Sequence, residues 1–250
     1  MQLFLISLVI VVASFAVATS VEASELPKDV EEMFFEQPNL VEQSTTEEEN
    51  KKLTEEEHLK EIEKQVEFAS EATGVRKGFL MGMLVVESNL GRNTGKCTYQ
   101  EVKDDAEADH NRGALSETAW KTFKRREEIM KKLANELGRD YDELSVSCNP
   151  PYNGTGGAMG IPQFMPDTWK EYEDRIAEAT GEENPDPWSL RDGVMAMALK
   201  VADVPGVTNH NVWAERNASK MYLSGSTSGK YEWYASDIQY WSRNYSSLIS

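Results

Sequence analysis

The 250-residue sequence carries 43 Asp and Glu against 26 Lys and Arg, a formal charge of −17 at pH 7, with 40% hydrophobic residues. So acidic a chain is not built to bind nucleic acid or an anionic membrane surface by charge, and its length suits one domain with a real core rather than two. Cys97 and Cys148 are the only cysteines, and His58, His110 and His210 stand far apart without metal-ligand spacing, so no metal and no cofactor is expected.

In chain order, an apolar stretch from Leu3 to about Ala18 closes on Val21, Glu22 and Ala23. That pattern predicts a signal peptide over residues 1–23, although no Lys or Arg precedes the apolar run; an uncleaved anchor is the alternative. No later stretch is long and apolar enough to span a bilayer. Residues 24–52, with Glu47, Glu48 and Glu49 in a row, read as an acidic disordered spacer. Export makes a disulfide between Cys97 and Cys148 the default.

Thr54 and Glu57 form the pattern of a capping box, and Leu59, Ile62, Val66, Ala69 and Ala72 follow at helical spacing until Gly74. Next, Phe79, Leu80, Met81, Met83, Leu84, Val85 and Val86 leave no polar face, which predicts a helix buried on all sides and running into Glu87. A carboxylate at the end of such a helix either points to water or keeps its proton, since burying the charge unpaired is costly. A protonated Glu with its pKa raised toward ~6 is what a general acid for glycoside cleavage requires.

Between the cysteines, Ser116 starts a helix with Trp120, Phe123, Met130, Leu133 and Leu137 on one face and a stop at Gly138. Before it, Asp105, Glu107, Asp109 and Asn111 alternate like the start of a calcium loop. His110 and Ser116 stand where such a loop needs Gly and Glu, so a solvated loop is expected there. Residues 154–169, GTGGAMGIPQFMPDTW, read either as a loop lining a substrate site or as an ordinary turn with a buried Gln163. Helices follow around Trp169, Tyr172 and Ile176, from Ser189 through Val201, and from Ala214 to Gly225. A last helix carries Tyr231, Tyr234, Ile238, Trp241, Tyr245 and Leu248 on one stripe, taken as core. Asp192 reads as a helix cap, no strand pair stands out, and the fold class is all-α.

With these pieces in order, the sequence resembles the lytic murein transglycosylases of the lysozyme-like superfamily, of the membrane-bound lytic transglycosylase B type. The resemblance rests on GVRKGFLMGMLVVESNLGRNTG at 74–95, GGAMGIPQFMPDTW at 156–169, NPDPWSLRDGVMAMALKVA at 184–202, and the segment from Ala218 to Tyr222 followed by Tyr231. It implies a lysozyme-like helical domain over residues 53–250 with a glycan-binding cleft and a cysteine-bounded insert at 97–148. It also implies Glu87 as the sole catalytic carboxyl, with Ser88, Gly157, Ala158, Met159, Gln163, Phe164, Tyr222 and Tyr231 binding substrate. Leu223 departs from the Asn that many relatives carry, and the insert does not follow the better-known members.

The implied reaction cleaves the β-1,4 bond between N-acetylmuramic acid and N-acetylglucosamine in peptidoglycan and leaves a 1,6-anhydro end, with Glu87 as acid and then base. The expected enzyme is a monomer, exported to the periplasm or outside the cell, associated with the wall's glycan strands and free of stable membrane insertion once the signal is removed. Two alternatives stay open: a goose-type lysozyme-like muramidase using Asp167 or Asp186 as base, and a peptidoglycan-binding protein without activity.

Overall fold

The structure, a computed structural model, describes residues 54–150 and 154–249. The expected signal peptide and acidic spacer lie outside the described residues. Helix α1, Glu55–Thr73, is opened by the Thr54–Glu57 capping box and closed by Gly74 in the left-handed conformation at φ 74°. Three glutamates in its first turn suit the positive end of the helix dipole. Helix α2, Lys77–Ser88, is buried all round only from Phe79 to Leu84; Val85, Val86 and Glu87 are half-buried, so its last turn opens on one side.

Between the cysteines lie strand β1 (Cys97–Thr98), helix α3 (Tyr99–Asn111), helix α4 (Glu117–Glu136) and strand β2 (Ser145–Val146). The two strands pair antiparallel, and the Cys97–Cys148 disulfide closes the insert at its base. Helix α3 corrects the expected solvated loop. A second capping box, Thr98 with Glu101, starts it, and Tyr99, Val102 and Ala106 bury one face at helical spacing. The alternating acids that suggested a cation loop occupy the exposed side of that helix, with Asp105 and Glu107 in solvent.

Helices α5 (Pro166–Thr180), α6 (Leu190–Ala202) and α7 (Val212–Ser224) follow, then a 3-10 turn at Gly229–Tyr231, α8 (Glu232–Asn244) and the short α9 (Ser246–Ile249). The expected single C-terminal stripe is thus divided. Tyr231 belongs to the turn before α8, Tyr234 and Ile238 are core, and Leu248 is exposed on α9. Asp192 also differs from its expected role. The Ser189 hydroxyl caps α6, while the buried Asp192 carboxylate accepts the Asp186 N–H at 3.0 Å and steadies the preceding loop.

Two apolar clusters make up the core. One joins α1, α2, α6 and α8; the other joins the insert to α5 and to Met159 and Phe164. Tyr222 and Leu199 pack against both, which marks the seam between them. Helices α2 and α8 approach closely. Gly82 permits it, since a Cβ there would stand 2.4 Å from the Ile238 carbonyl oxygen. At one end of this contact the fully buried Glu215 carboxylate receives two hydrogen bonds from Arg76, at 2.9 and 2.7 Å, and one from Gln239 at 2.8 Å, locking α7 and α8 to the start of α2.

Candidate active site

The end of α2 is held by unusual backbone. Asn89, Leu90 and Gly91 all have positive φ, at 49°, 58° and 75°. For Leu90, whose side chain is buried, the left-handed conformation costs about 1–2 kcal/mol. Three bonds hold the turn against that cost: His58 Nε2 meets the Leu90 carbonyl at 2.9 Å, Gly91 N donates to the Ser88 hydroxyl at 3.1 Å, and Asn93 N to the Ser88 carbonyl at 2.9 Å. Ser88, expected to contact substrate, therefore faces inward and knits the turn that presents Glu87.

Glu87 sits on the last turn of α2 with its Oε1 accepting a hydrogen bond from the Tyr234 hydroxyl on α8. Burial pushes its carboxyl up to about 8, and the ammonium of Lys200 opposes this only in part. The group is consequently protonated at neutral pH. Tyr234, three residues beyond the Tyr231 expected from the sequence, makes this contact; Tyr231 closes the 3-10 turn and has Lys230 over its ring. The signal for Tyr234 was present in principle, because a buried tyrosine hydroxyl needs a partner.

The glycine-rich loop is pinned on both sides. Gly157 N donates to the Ser147 carbonyl, Ala158 N to the Ser147 hydroxyl, and Ser147 N to the Ala158 carbonyl, each at 2.9 Å. Met159 N donates to the Phe164 carbonyl at 2.8 Å, closing the loop on itself. These backbone groups are thus spent on holding the loop against β2. At Gly160 a Cβ would lie 2.0 Å from the Pro187 carbonyl oxygen, and Ile161 N donates to that same oxygen at 2.8 Å. Gln163 has φ 50°, donates to the Gly160 carbonyl at 2.8 Å, and lines a cavity of about 200 Å³ beside Asn93, Lys96 and Cys148.

Tyr222 reaches this loop from α7, its hydroxyl donating to the Pro162 carbonyl at 2.6 Å and its ring 5.5 Å from that of Phe164. Burial raises the Tyr222 pKa well above its ordinary value, and the nearby Glu87 adds to the effect. Lys200 on α6 lies 4.7 Å from the centroids of both the Phe164 and the Tyr222 rings. Glu87, Tyr234, Tyr222, Phe164 and Lys200 thus meet where the two apolar clusters join. Lys200 went unmarked in the sequence because a lysine near a helix end is ordinary. Among the described residues no cluster of His, Cys, Asp or Glu could hold a metal ion.

Residues 44–203 match the family described as Transglycosylase SLT domain, well over half of the chain. The chain belongs to the transglycosylase SLT domain family. Solved structures with a similar helical fold include the Escherichia coli lytic transglycosylase Slt35 in complex with bulgecin A, 16% identical with a TM-score of 0.52, covering 77% of this chain and 72% of that one. Soluble lytic transglycosylase SltB1 from Pseudomonas aeruginosa is 22% identical with a TM-score of 0.43, over 62% of this chain and 50% of that one. A 36 kDa muramidase/transglycosylase is 21% identical with a TM-score of 0.45, over 59% of this chain and 43% of its own length. This SLT-domain chain therefore spans half or less of the length of the latter two. No curated protein sequence matches it. The fold is all-α and lysozyme-like, with the cysteine-bounded insert built onto it.

Proposed function

We propose that this chain is a peptidoglycan lytic transglycosylase, cutting the β-1,4 bond between N-acetylmuramic acid and N-acetylglucosamine and closing a 1,6-anhydro ring. The observation that carries the reading is one protonated carboxyl at the seam, while the two aspartates considered as a base are both held in ion pairs. Asp167 is bound by Arg125 and Arg126, at 3.0 Å each, and Asp186 by both terminal nitrogens of Arg139 at 3.1 and 2.5 Å. A hydrolase with either aspartate as base would first have to break those pairs.

In the proposed reaction the Glu87 proton passes to the glycosidic oxygen, and the C1–O bond breaks. The resulting carboxylate takes the proton of the muramic C6 hydroxyl, whose oxygen bonds to C1. Glu87 is then protonated again and no water is consumed, so a single carboxyl serves as acid and base. The Tyr234 hydroxyl steadies the carboxylate while it is charged. Gln163, Phe164, Tyr222 and the loop from Gly157 to Met159 border the proposed cleft. The setting is the exported cell-wall compartment, and the proposed working unit is a monomer.

Digestion of purified sacculi followed by mass analysis of the released muropeptides tests this. The expected fragments end in 1,6-anhydro-N-acetylmuramic acid. Fragments heavier by one water per cut would make the protein a hydrolase, and binding to sacculi without release would make it a binding protein.

A further inference from the structure

A second cavity, of about 620 Å³, opens among α5, α6 and α7 and is lined by Arg126, Glu171, Tyr172, Lys200, Met221 and Tyr222 among others. A volume of this size suits a small-molecule ligand or a short peptide. Its charges are unevenly satisfied. Arg126 is paired with Asp167, and Asp203 accepts two bonds from Arg175, at 2.8 and 3.0 Å, and one from the Tyr172 hydroxyl at 2.9 Å. Lys200 and Glu171 make no ion pair and no side-chain hydrogen bond among the described residues. The Lys200 ammonium is held by two ring faces, an attraction that uses none of its three N–H donors. A half-buried cation with unused donors faces the cavity, and a carboxylate stands on the same lining.

The substrate offers few groups to meet that pair. The glycan strand itself is neutral, since its sugars are N-acetylated and the lactyl carboxyl of muramic acid is consumed in the amide to the peptide. The charges of peptidoglycan lie on the peptide stem, as carboxylates and as the free amine of a diamino acid. We infer that the cavity is a binding site for the charged peptide stem, with Lys200 receiving a stem carboxylate and Glu171 the free amine, an assignment that rests on the peptidoglycan reading above. Tyr222 and Lys200 line the cavity and also neighbour Glu87, so a stem seated there hangs from a sugar placed at the acid. The exposed Met221 and Leu223 give the rim an apolar edge for the stem's alanine methyl groups.

The test uses the full chain and the tripeptide N-acetyl-alanyl-γ-glutamyl-diaminopimelate, whose acetyl group stands in for the amide to muramic acid, followed by NMR titration at neutral pH. Saturable shifts are expected at cavity residues in the wild type. Lys200→Met should weaken binding at least tenfold and Lys200→Arg should keep most of it. Glu171→Gln should weaken binding severalfold for this tripeptide but not for the form also acetylated on the diaminopimelate side-chain amine, in which that amine is neutral. Thermal unfolding checks that each variant is folded. No saturable shift in the wild type, or equal affinity in the wild type and Lys200→Met, overturns the assignment. Because the titration needs no turnover, its result is independent of whether wild-type protein cuts glycan strands stripped of stems, which separately decides the transglycosylase reading.

Discussion

Replacing Tyr234 by Phe removes one hydroxyl from the site and leaves its ring in the core, where the residue is only 3% exposed. The lost bond runs to Glu87 Oε1. A hydrogen bond to a charged acceptor is worth about 1.5–3 kcal/mol and one to a neutral acceptor about 0.5–1.5 kcal/mol. The bond therefore favours ionised Glu87 over protonated Glu87 by about 1.4 kcal/mol. As the proton leaves for the glycosidic oxygen, that same difference stabilises the transition state, so Tyr234→Phe should lower kcat by about tenfold. It should also move the Glu87 pKa upward by about one unit from its value of about 8. A general acid fails as pH rises through its pKa, so the basic limb of the activity profile should start near pH 8 in the wild type and about one unit higher in the variant. Initial rates of clearing of suspended sacculi between pH 6 and 10 would show both effects. An unchanged rate and an unchanged basic limb in a folded variant would refute the assignment of Tyr234 to the carboxyl.

Glu87→Gln should abolish clearing and raise stability: the native carboxyl titrates at about 8 against an ordinary 4.5, so the native state binds more protons and wild-type stability falls as pH rises from 4.5 to 8. Chemical denaturation at pH 5 and pH 8.5 should show a slope of stability with pH that the variant loses, and identical slopes would place the carboxyl in solvent. Removing the disulfide with Cys97→Ser and Cys148→Ser should cost about 4 kcal/mol in the chain-entropy model, read as a lower midpoint in urea. Arg76→Met should cost about 3–5 kcal/mol because it strands the buried Glu215 carboxylate, and adding Glu215→Leu should recover most of that loss, as a double-mutant cycle in urea would report. Gly82→Ala should destabilise by about 1–3 kcal/mol and lower activity as well, since the new methyl would push α8, and with it Tyr234, away from α2; loss of stability without loss of activity would separate the packing from the site.

The helices were legible where one face repeats at helical spacing and a cap marks the end. Thr54 with Glu57, Ser116 and Gly225 bound helices in the structure as they do in the sequence. Helix α3 was not legible because the eye follows its alternating acids, whereas Tyr99, Val102 and Ala106 carry the buried face. Glu87 stood out through contrast, as an acid at the end of an apolar run. Tyr234 and Lys200 did not, for the opposite reason: an aromatic in an aromatic stripe and a lysine near a helix end are ordinary neighbours in sequence. They gain meaning only when α2, α6 and α8 bring them to one carboxyl. Ser88, which the resemblance implies in substrate binding, has its hydroxyl turned into the α2 turn, an orientation that only the structure shows.

The two apolar clusters explain why a carboxyl can stay protonated here and still be reached by a substrate. Full burial inside either cluster would raise the pKa further but leave no path for a sugar, and exposure on a surface helix would leave it near 4.5. At the seam, the last turn of α2 emerges half-buried, and Tyr222, whose hydroxyl donates to the Pro162 carbonyl, lies near Glu87. Desolvation favours the acid and outweighs the nearby Lys200 ammonium, which favours the carboxylate, and the Tyr234 hydroxyl donates to the same group. A group held so is a proton donor before the bond breaks and a stabilised anion after it. That balance is what a single carboxyl must have if it is to give a proton to the leaving oxygen and take one back from the C6 hydroxyl, whereas a two-carboxylate hydrolase divides the tasks between groups with separated pKa values.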